Sequence, residues 1–246
     1  MSNRFTDRVV VVTGAGSGLG KATAVRFGSE GAKVACLDVD EAKATATATE
    51  IGGAAKAFRV DVSNPDSVKA AVAGVLSALG PINVLCNVAG VGKFAHSTDL
   101  SFEDWSRVIG VNLTGAFLMC QAALPSILET GGNIVNVGSD SASQGLPYAA
   151  AYNASKGGLK LLTQSLAREF IHQKIRINLV SPGGMDTGMP GFVMPEDANL
   201  TGMSRFFTDF GIADPADIAS VIAFVASDEA CRITGTNVRC DAGSTM

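Results

Sequence analysis

Charge is scarce in this sequence. Only 17% of its 246 residues are Asp, Glu, Lys or Arg, the formal net charge is −4, and no basic run occurs. A nucleic-acid surface needs clustered cations, so nucleic acid is excluded as a partner. Histidine is scarcer still. His96 and His172 are the only two, and no His/Cys/carboxylate cluster stands at ligand spacing, which excludes a protein-held metal ion. The five cysteines (36, 86, 120, 231 and 240) are odd in number, far apart, and form no C-x-x-C pair. They read as reduced, small core residues and point to a cytoplasmic protein. The first residues lack the apolar core of a signal peptide. No apolar stretch reaches the length needed to span a bilayer, so no membrane partner is expected. No composition shift or internal repeat marks a boundary, and residues 1–246 read as one domain.

Apolar residues, by contrast, make up 47%, and there are 28 glycines. The glycines sit at the ends of apolar runs, where tight turns are expected. Short apolar runs at 8–13, 33–38, 57–61, 82–86, 133–138, 175–180 and 236–240 read as strands, most of them buried on both faces. Helical patterns at 19–29, after 40, at 65–79, 102–128, 150–172 and 215–226 separate them. Asn64 before Pro65 and Asp214 before Pro215 are N-cap signals. Pro125 is expected to bend the longest helix near its end. Alternating strands and helices predict an α/β fold, a doubly wound parallel sheet of about seven strands with helices on both faces. Such sheets bind ligands beyond the carboxyl ends of their strands.

Three patterns carry chemistry. The first is Thr13-Gly14-Ala15-Gly16-Ser17-Gly18-Leu19-Gly20, between the first strand and the first helix. Glycines let the backbone approach a pyrophosphate, whose charge the helix N-terminus favours. The spacing fits T-G-x-x-x-G-x-G, not G-x-G-x-x-G. The second is Asp38, which ends the second strand where an acid meets an adenosine ribose. It would accept from the 2′- and 3′-hydroxyls and repel a 2′-phosphate. Neither Ser17 nor Val39 supplies a cation for such a phosphate, although Lys21 and Lys43 are in the region, so NAD(H) is expected over NADP(H). Asp61, at the end of the third strand, is placed to face the adenine edge. The third is Ser139 with Tyr152 and Lys156. Tyr152 and Lys156 are four apart and share a helix face. An ammonium favours the phenolate form of a neighbouring phenol, which then takes a proton from an alcohol or returns one to a carbonyl. Ser139, at the end of the fifth strand, is placed to hold the substrate oxygen.

Taken together, these motifs, with Asn87-Val88-Ala89-Gly90, Asn112, Tyr152-Asn153-Ala154-Ser155-Lys156, Pro182-Gly183 and Thr187, resemble the short-chain dehydrogenases/reductases along nearly the whole chain. The resemblance implies a Rossmann fold and a catalytic tetrad of Asn112, Ser139, Tyr152 and Lys156. Asn112 would hold a water that relays protons to Lys156, and Lys156 would bind the nicotinamide ribose. It implies cofactor contacts from Gly14, Ser17, Gly18, Leu19, Gly20, Asp38, Asp61, Val62, Asn87, Ala89, Gly90, Tyr152, Lys156, Pro182, Gly183, Met185 and Thr187. Asn87 would also steady the sheet. Substrate contacts are expected from Ser139, Ser141, Gln144, Tyr152, Gly184 and Met189. Ser141 competes with Ser139 for the catalytic role, and the 13-residue spacing to Tyr152 favours Ser139.

The chain departs from the family pattern at Val88, often Asn, at Met185, often Val or Ile, and at Asp241-Ala242-Gly243 in place of Asp-Gly-Gly. The segment 188–211, with Met189, Phe192, Val193, Met194, Met203, Phe206, Phe207 and Phe210, reads either as a lid over a hydrophobic substrate or as subunit packing. His96 is a further polar candidate near the pocket. The expected activity is NAD(H)-dependent interconversion of a secondary alcohol and a ketone. A 3-oxoacyl-[acyl-carrier-protein] reductase is the alternative, and a nucleotide-binding sensor without turnover is a second. The resemblance also implies a homotetramer or dimer.

Overall fold

The computed structural model describes residues 3–185, 188–189, 193–199, 201 and 209–246. Seven strands form one sheet: β1 (Val9–Thr13), β2 (Lys33–Asp38), β3 (Lys56–Arg59), β4 (Ile82–Asn87), β5 (Asn133–Val137), β6 (Arg176–Pro182) and β7 (Asn237–Cys240). Their spatial order is β3-β2-β1-β4-β5-β6-β7, with all pairs parallel. The order reverses beside β1, so a crevice opens between the carboxyl ends of β1 and β4.

Successive β1 residues pack on opposite faces of the sheet. Val10 and Val12 join a core with α1 (Gly18–Ser29), α2 (Glu41–Ile51) and α7 (Pro215–Ala226). Val9 and Val11 join a core with α3 (Pro65–Leu79), α5 (Gly115–Thr130) and the end of α6 (Ala150–Glu169). This two-sided burial is the physical reason the central strands read as continuous apolar runs. The N-cap signals hold: Asn64 accepts from the backbone N–H groups of Asp66 and Ser67, and Asp214 from that of Ala216.

Two elements differ from expectation. The helix expected over 102–128 is interrupted: α4 (Phe102–Ile109) passes through a π turn (Gly110–Thr114) into α5. Pro125 lies inside α5 without ending it, and the helix runs on to Thr130. By length and composition the run Phe102–Thr130 is apolar enough to cross a bilayer, contrary to the sequence reading, which found no such stretch. Its apolarity serves the core, because Met119, Cys120, Ala123 and Ile127 are buried against the sheet. The third strand, expected over 57–61, ends at Arg59, and Asp61 lies in the turn beyond it.

Candidate active site

A cavity of about 640 Å³ occupies the crevice at the carboxyl ends of the strands. One wall is the turn from β1 into α1. Gly14 has φ +68, and a Cβ there would lie 2.9 Å from Ala89 Cα. A Cβ on Gly20 would lie 1.9 Å from the Gly14 carbonyl oxygen, so α1 starts this close to the strand only because residue 20 has no side chain. The Ser17 side chain caps nothing and no acid stands in the first turn of α1. The N-terminal N–H groups are therefore left for an anionic group, as the charge of a helix N-terminus favours. Asp38 also lines this end; its Oδ2 accepts from Gly16 N at 2.8 Å and its Oδ1 from Asp40 N at 3.0 Å. These two bonds fix the carboxylate and leave lone pairs for ribose hydroxyls. Asp61, Val62, Ala89, Gly90, Pro182, Gly183 and Met185 line the cavity as expected.

Ser139, Tyr152 and Lys156 stand together on the opposite wall. The Lys156 ammonium donates to Val137 O at 2.8 Å and lies 5.7 Å from the centroid of the Tyr152 ring. All three side chains are buried. Burial dominates both ionisations. It pushes the Tyr152 phenol up to about 12, against a hydrogen bond with Ser139 that pulls it down and with the charge of Asp140, which adds to the rise. Burial alone brings Lys156 down to about 8. The sequence reading has the ammonium easing the phenol toward ionisation. Here the low polarity around the pair instead raises the phenol, which favours its protonated form.

Asn112 is buried in the π turn and does not line the cavity. Its Oδ1 accepts from Val91 N at 2.9 Å, and its Nδ2 donates to Val91 O at 2.9 Å and to Ser155 Oγ at 3.0 Å. Both amide hydrogens are thereby committed to holding the segment after Gly90 against α6. Asn87 also stays behind the wall, where its Nδ2 donates to Asn136 Oδ1 at 2.9 Å across β4 and β5.

Met189 reaches the cavity from the substrate side, but Ser141, Gln144 and Gly184 do not. Ser141 is turned toward Asp140, Gln144 Nε2 donates to Ser244 O at 3.3 Å, and the Gly184 carbonyl accepts from Ala213 N at 3.0 Å. Thr187 lies outside the described residues, as do Phe192, Met203, Phe206 and Phe207. His96 faces away from the cavity lining, its Nε2 2.9 Å from Asp197 Oδ1 and its ring edge-on to Tyr148. Sequence reasoning missed Val60, Ser63, Arg107 and Val111 in the lining. Arg107 and Val111 reach it around the π turn, which no residue pattern announces.

Comparison with known proteins agrees with this geometry. A family profile described as Enoyl-(Acyl carrier protein) reductase matches residues 14–245. The chain is 37% identical to 2-(S)-hydroxypropyl-CoM dehydrogenase 3 of Xanthobacter autotrophicus, covering 100% of this chain and 99% of that one. It is 38% identical to meso-2,3-butanediol dehydrogenase of Serratia marcescens, covering 98% and 96%. A crystal structure of 3-ketoacyl-(acyl-carrier-protein) reductase from Brucella melitensis complexed with NADH superposes with TM-score 0.89 at 35% identity, covering 98% and 99%. The chain is an α/β oxidoreductase with a dinucleotide crevice. It belongs to the short-chain dehydrogenase/reductase family, acts on CH–OH groups of small molecules and takes a nicotinamide cofactor.

Proposed function

We propose that this enzyme interconverts a secondary alcohol and a ketone with NAD(H) as its cofactor, using Tyr152 as the proton carrier. The observation that carries the reading is the meeting of Ser139, Tyr152 and Lys156 on one wall of a cavity whose other wall is the glycine turn and Asp38. When bound, the nicotinamide accepts hydride from the carbinol carbon or donates it to the carbonyl carbon. Ser139 donates a hydrogen bond to the substrate oxygen. Tyr152 takes the alcohol proton in oxidation and returns it in reduction. Lys156, held by Val137 O, has further N–H donors for the nicotinamide ribose. Asn112 acts as a positioning residue through Val91 and Ser155. A cationic nicotinamide held beside Tyr152 would oppose the burial that raises the phenol. Tyr152→Phe is expected to lower turnover of secondary alcohols by at least ~100-fold, followed by NADH absorbance. Turnover at the wild-type rate removes Tyr152 from the mechanism.

Asp38 supports NAD(H) over NADP(H), because a 2′-phosphate would meet its carboxylate. Asp38→Ala combined with Val39→Arg is expected to shift the NADPH/NADH preference about tenfold or more toward NADPH, read as the ratio of kcat/KM values. Equal use of both cofactors by the unmutated enzyme contradicts the role of Asp38. We read a hydrophobic substrate from Val91, Met185 and Met189 in the lining. The names of the Xanthobacter and Serratia relatives describe secondary alcohols. The Brucella relative supports a 3-oxoacyl thioester as the second reading. Activity on a short 3-oxoacyl thioester exceeding that on simple ketones would favour it.

We also read residues 1–246 as one domain in which 188–211 closes over the substrate. Met189 and Met194 pack beside Phe94, Tyr148 and Tyr152, and the Tyr148 hydroxyl accepts from Asn199 N at 2.8 Å. Five unpaired cysteines, three of them buried, fit a cytoplasmic enzyme.

A further inference from the structure

An acid is buried directly behind the catalytic serine. Asp140 begins the short 3₁₀ turn Asp140–Ala142 and is 8% exposed, yet it is absent from the cavity lining. Its Oδ1 accepts from Ser139 Oγ at 2.8 Å and from Ser141 N at 2.7 Å. Its Oδ2 accepts from Ser244 Oγ at 3.3 Å, in the tail that follows β7. Among the described residues no ion pair reaches Asp140. The charged groups around it are engaged elsewhere. On α6, Lys156 is held by Val137 O and Lys160 by Ser143 Oγ. On the β7 side, Arg239 and Asp241 both hold Thr245. Its charge is thus held in place by hydroxyl and N–H dipoles alone, beside a serine that has only one proton to give.

We propose that Asp140 is a positioning residue that sets the pH at which Tyr152 exchanges its proton, acting through Ser139. At rest its carboxylate accepts a hydrogen bond from the Ser139 hydroxyl, which keeps its proton. When substrate enters, that same proton turns to the substrate oxygen, so the carboxylate and the substrate compete for one donor. The negative charge opposes a second negative charge on the phenol oxygen and keeps Tyr152 protonated over a wider pH range. The protonated phenol is the form that gives a proton to a ketone. The direction agrees with the contribution of Asp140 to the raised Tyr152 phenol. Ser244 adds a second control, since its hydroxyl stabilises the carboxylate and moderates its field.

This inference rests on the assignment of Tyr152 as proton carrier, and the test separates the two. Tyr148 and Tyr152 are the only tyrosines in the chain. In a Tyr148→Phe background the ring-carbon NMR signal of tyrosine therefore belongs to Tyr152 alone, and it is titrated with saturating oxidised cofactor. Asp140→Asn is expected to lower the midpoint by about half a pH unit or more. The acid limb of alcohol oxidation should move down by the same amount. Ser244→Ala keeps the charge and removes one of its donors, so the midpoint is expected to rise. This opposite-signed variant carries the test if Asp140→Asn does not fold. An Asp140→Asn midpoint that stays in place, with turnover reduced equally at every pH, is a purely structural role and overturns the proposal. A midpoint that moves while Tyr152→Phe still turns over upholds the coupling and instead removes Tyr152 as the proton carrier.

Discussion

Lys156 shows how the same burial that serves the site burdens the fold. Its ammonium is brought down from 10.5 to about 8 by burial, so the folded chain binds that proton less tightly than the unfolded chain. Stability should therefore rise as pH climbs from about 8 toward 10.5. Replacing the charge with an apolar side chain of similar length relieves this cost. Lys156→Met is expected to raise stability at pH 7 by about 1 kcal/mol or more while abolishing turnover, with the gain fading above pH ~10. Urea unfolding at several pH values checks both statements, and a variant less stable than wild type at pH 7 refutes them. The spacing of Tyr152 and Lys156 was legible in the sequence because a helix places i and i+4 side by side. Their ionisation was not, because the low polarity around them is built by β5, α6 and the segment after β4, which meet only in the fold. The place of Asp140 was equally hidden: its partner Ser244 stands 104 residues away.

Among the elements, the β1–α1 turn was the most legible, since its glycines answer to local geometry. Gly20→Ala would drive a Cβ into the Gly14 carbonyl. It is expected to cost ~2 kcal/mol of stability and to weaken cofactor binding about tenfold or more, measurable by thermal unfolding with and without NADH. An unchanged cofactor affinity would show that the turn does not seat the pyrophosphate. The π turn was the least legible element. One extra residue in a helix leaves the apolar pattern nearly intact. Its purpose is visible only once the Asn112 amide is seen to bridge Val91 and Ser155. The third strand, read two residues too long, shows the ordinary limit of apolar runs: Val60 and Val62 are buried beyond the strand, packed against α3.

In the whole molecule, the alternation of strands and helices matched the parallel sheet, and the switch of order beside β1 accounts for where the crevice opens. Assembly is a further matter. Leu161 on α6 is 66% exposed, and Phe117 and Leu128 on α5 are partly uncovered. Apolar side chains on these two helices fit self-association into a dimer or tetramer. If these helices form a subunit contact, Leu161→Glu is expected to lower the mass seen in light scattering, and an unchanged mass refutes that contact. The packing of α1 and α7 on one face of the sheet bears on synthesis. As the chain leaves the ribosome, β1 emerges early, but one side of it waits for β4. The apolar face shared by β1, β4 and β5 waits longer still, until α7 has been made. From the emergence of β5 until α7 is made, Val84, Cys86, Val135 and Val137 therefore stay uncovered on the side of the sheet that α7 will close. Chaperone supply, more than the final stability of the fold, should govern how much enzyme a cell recovers.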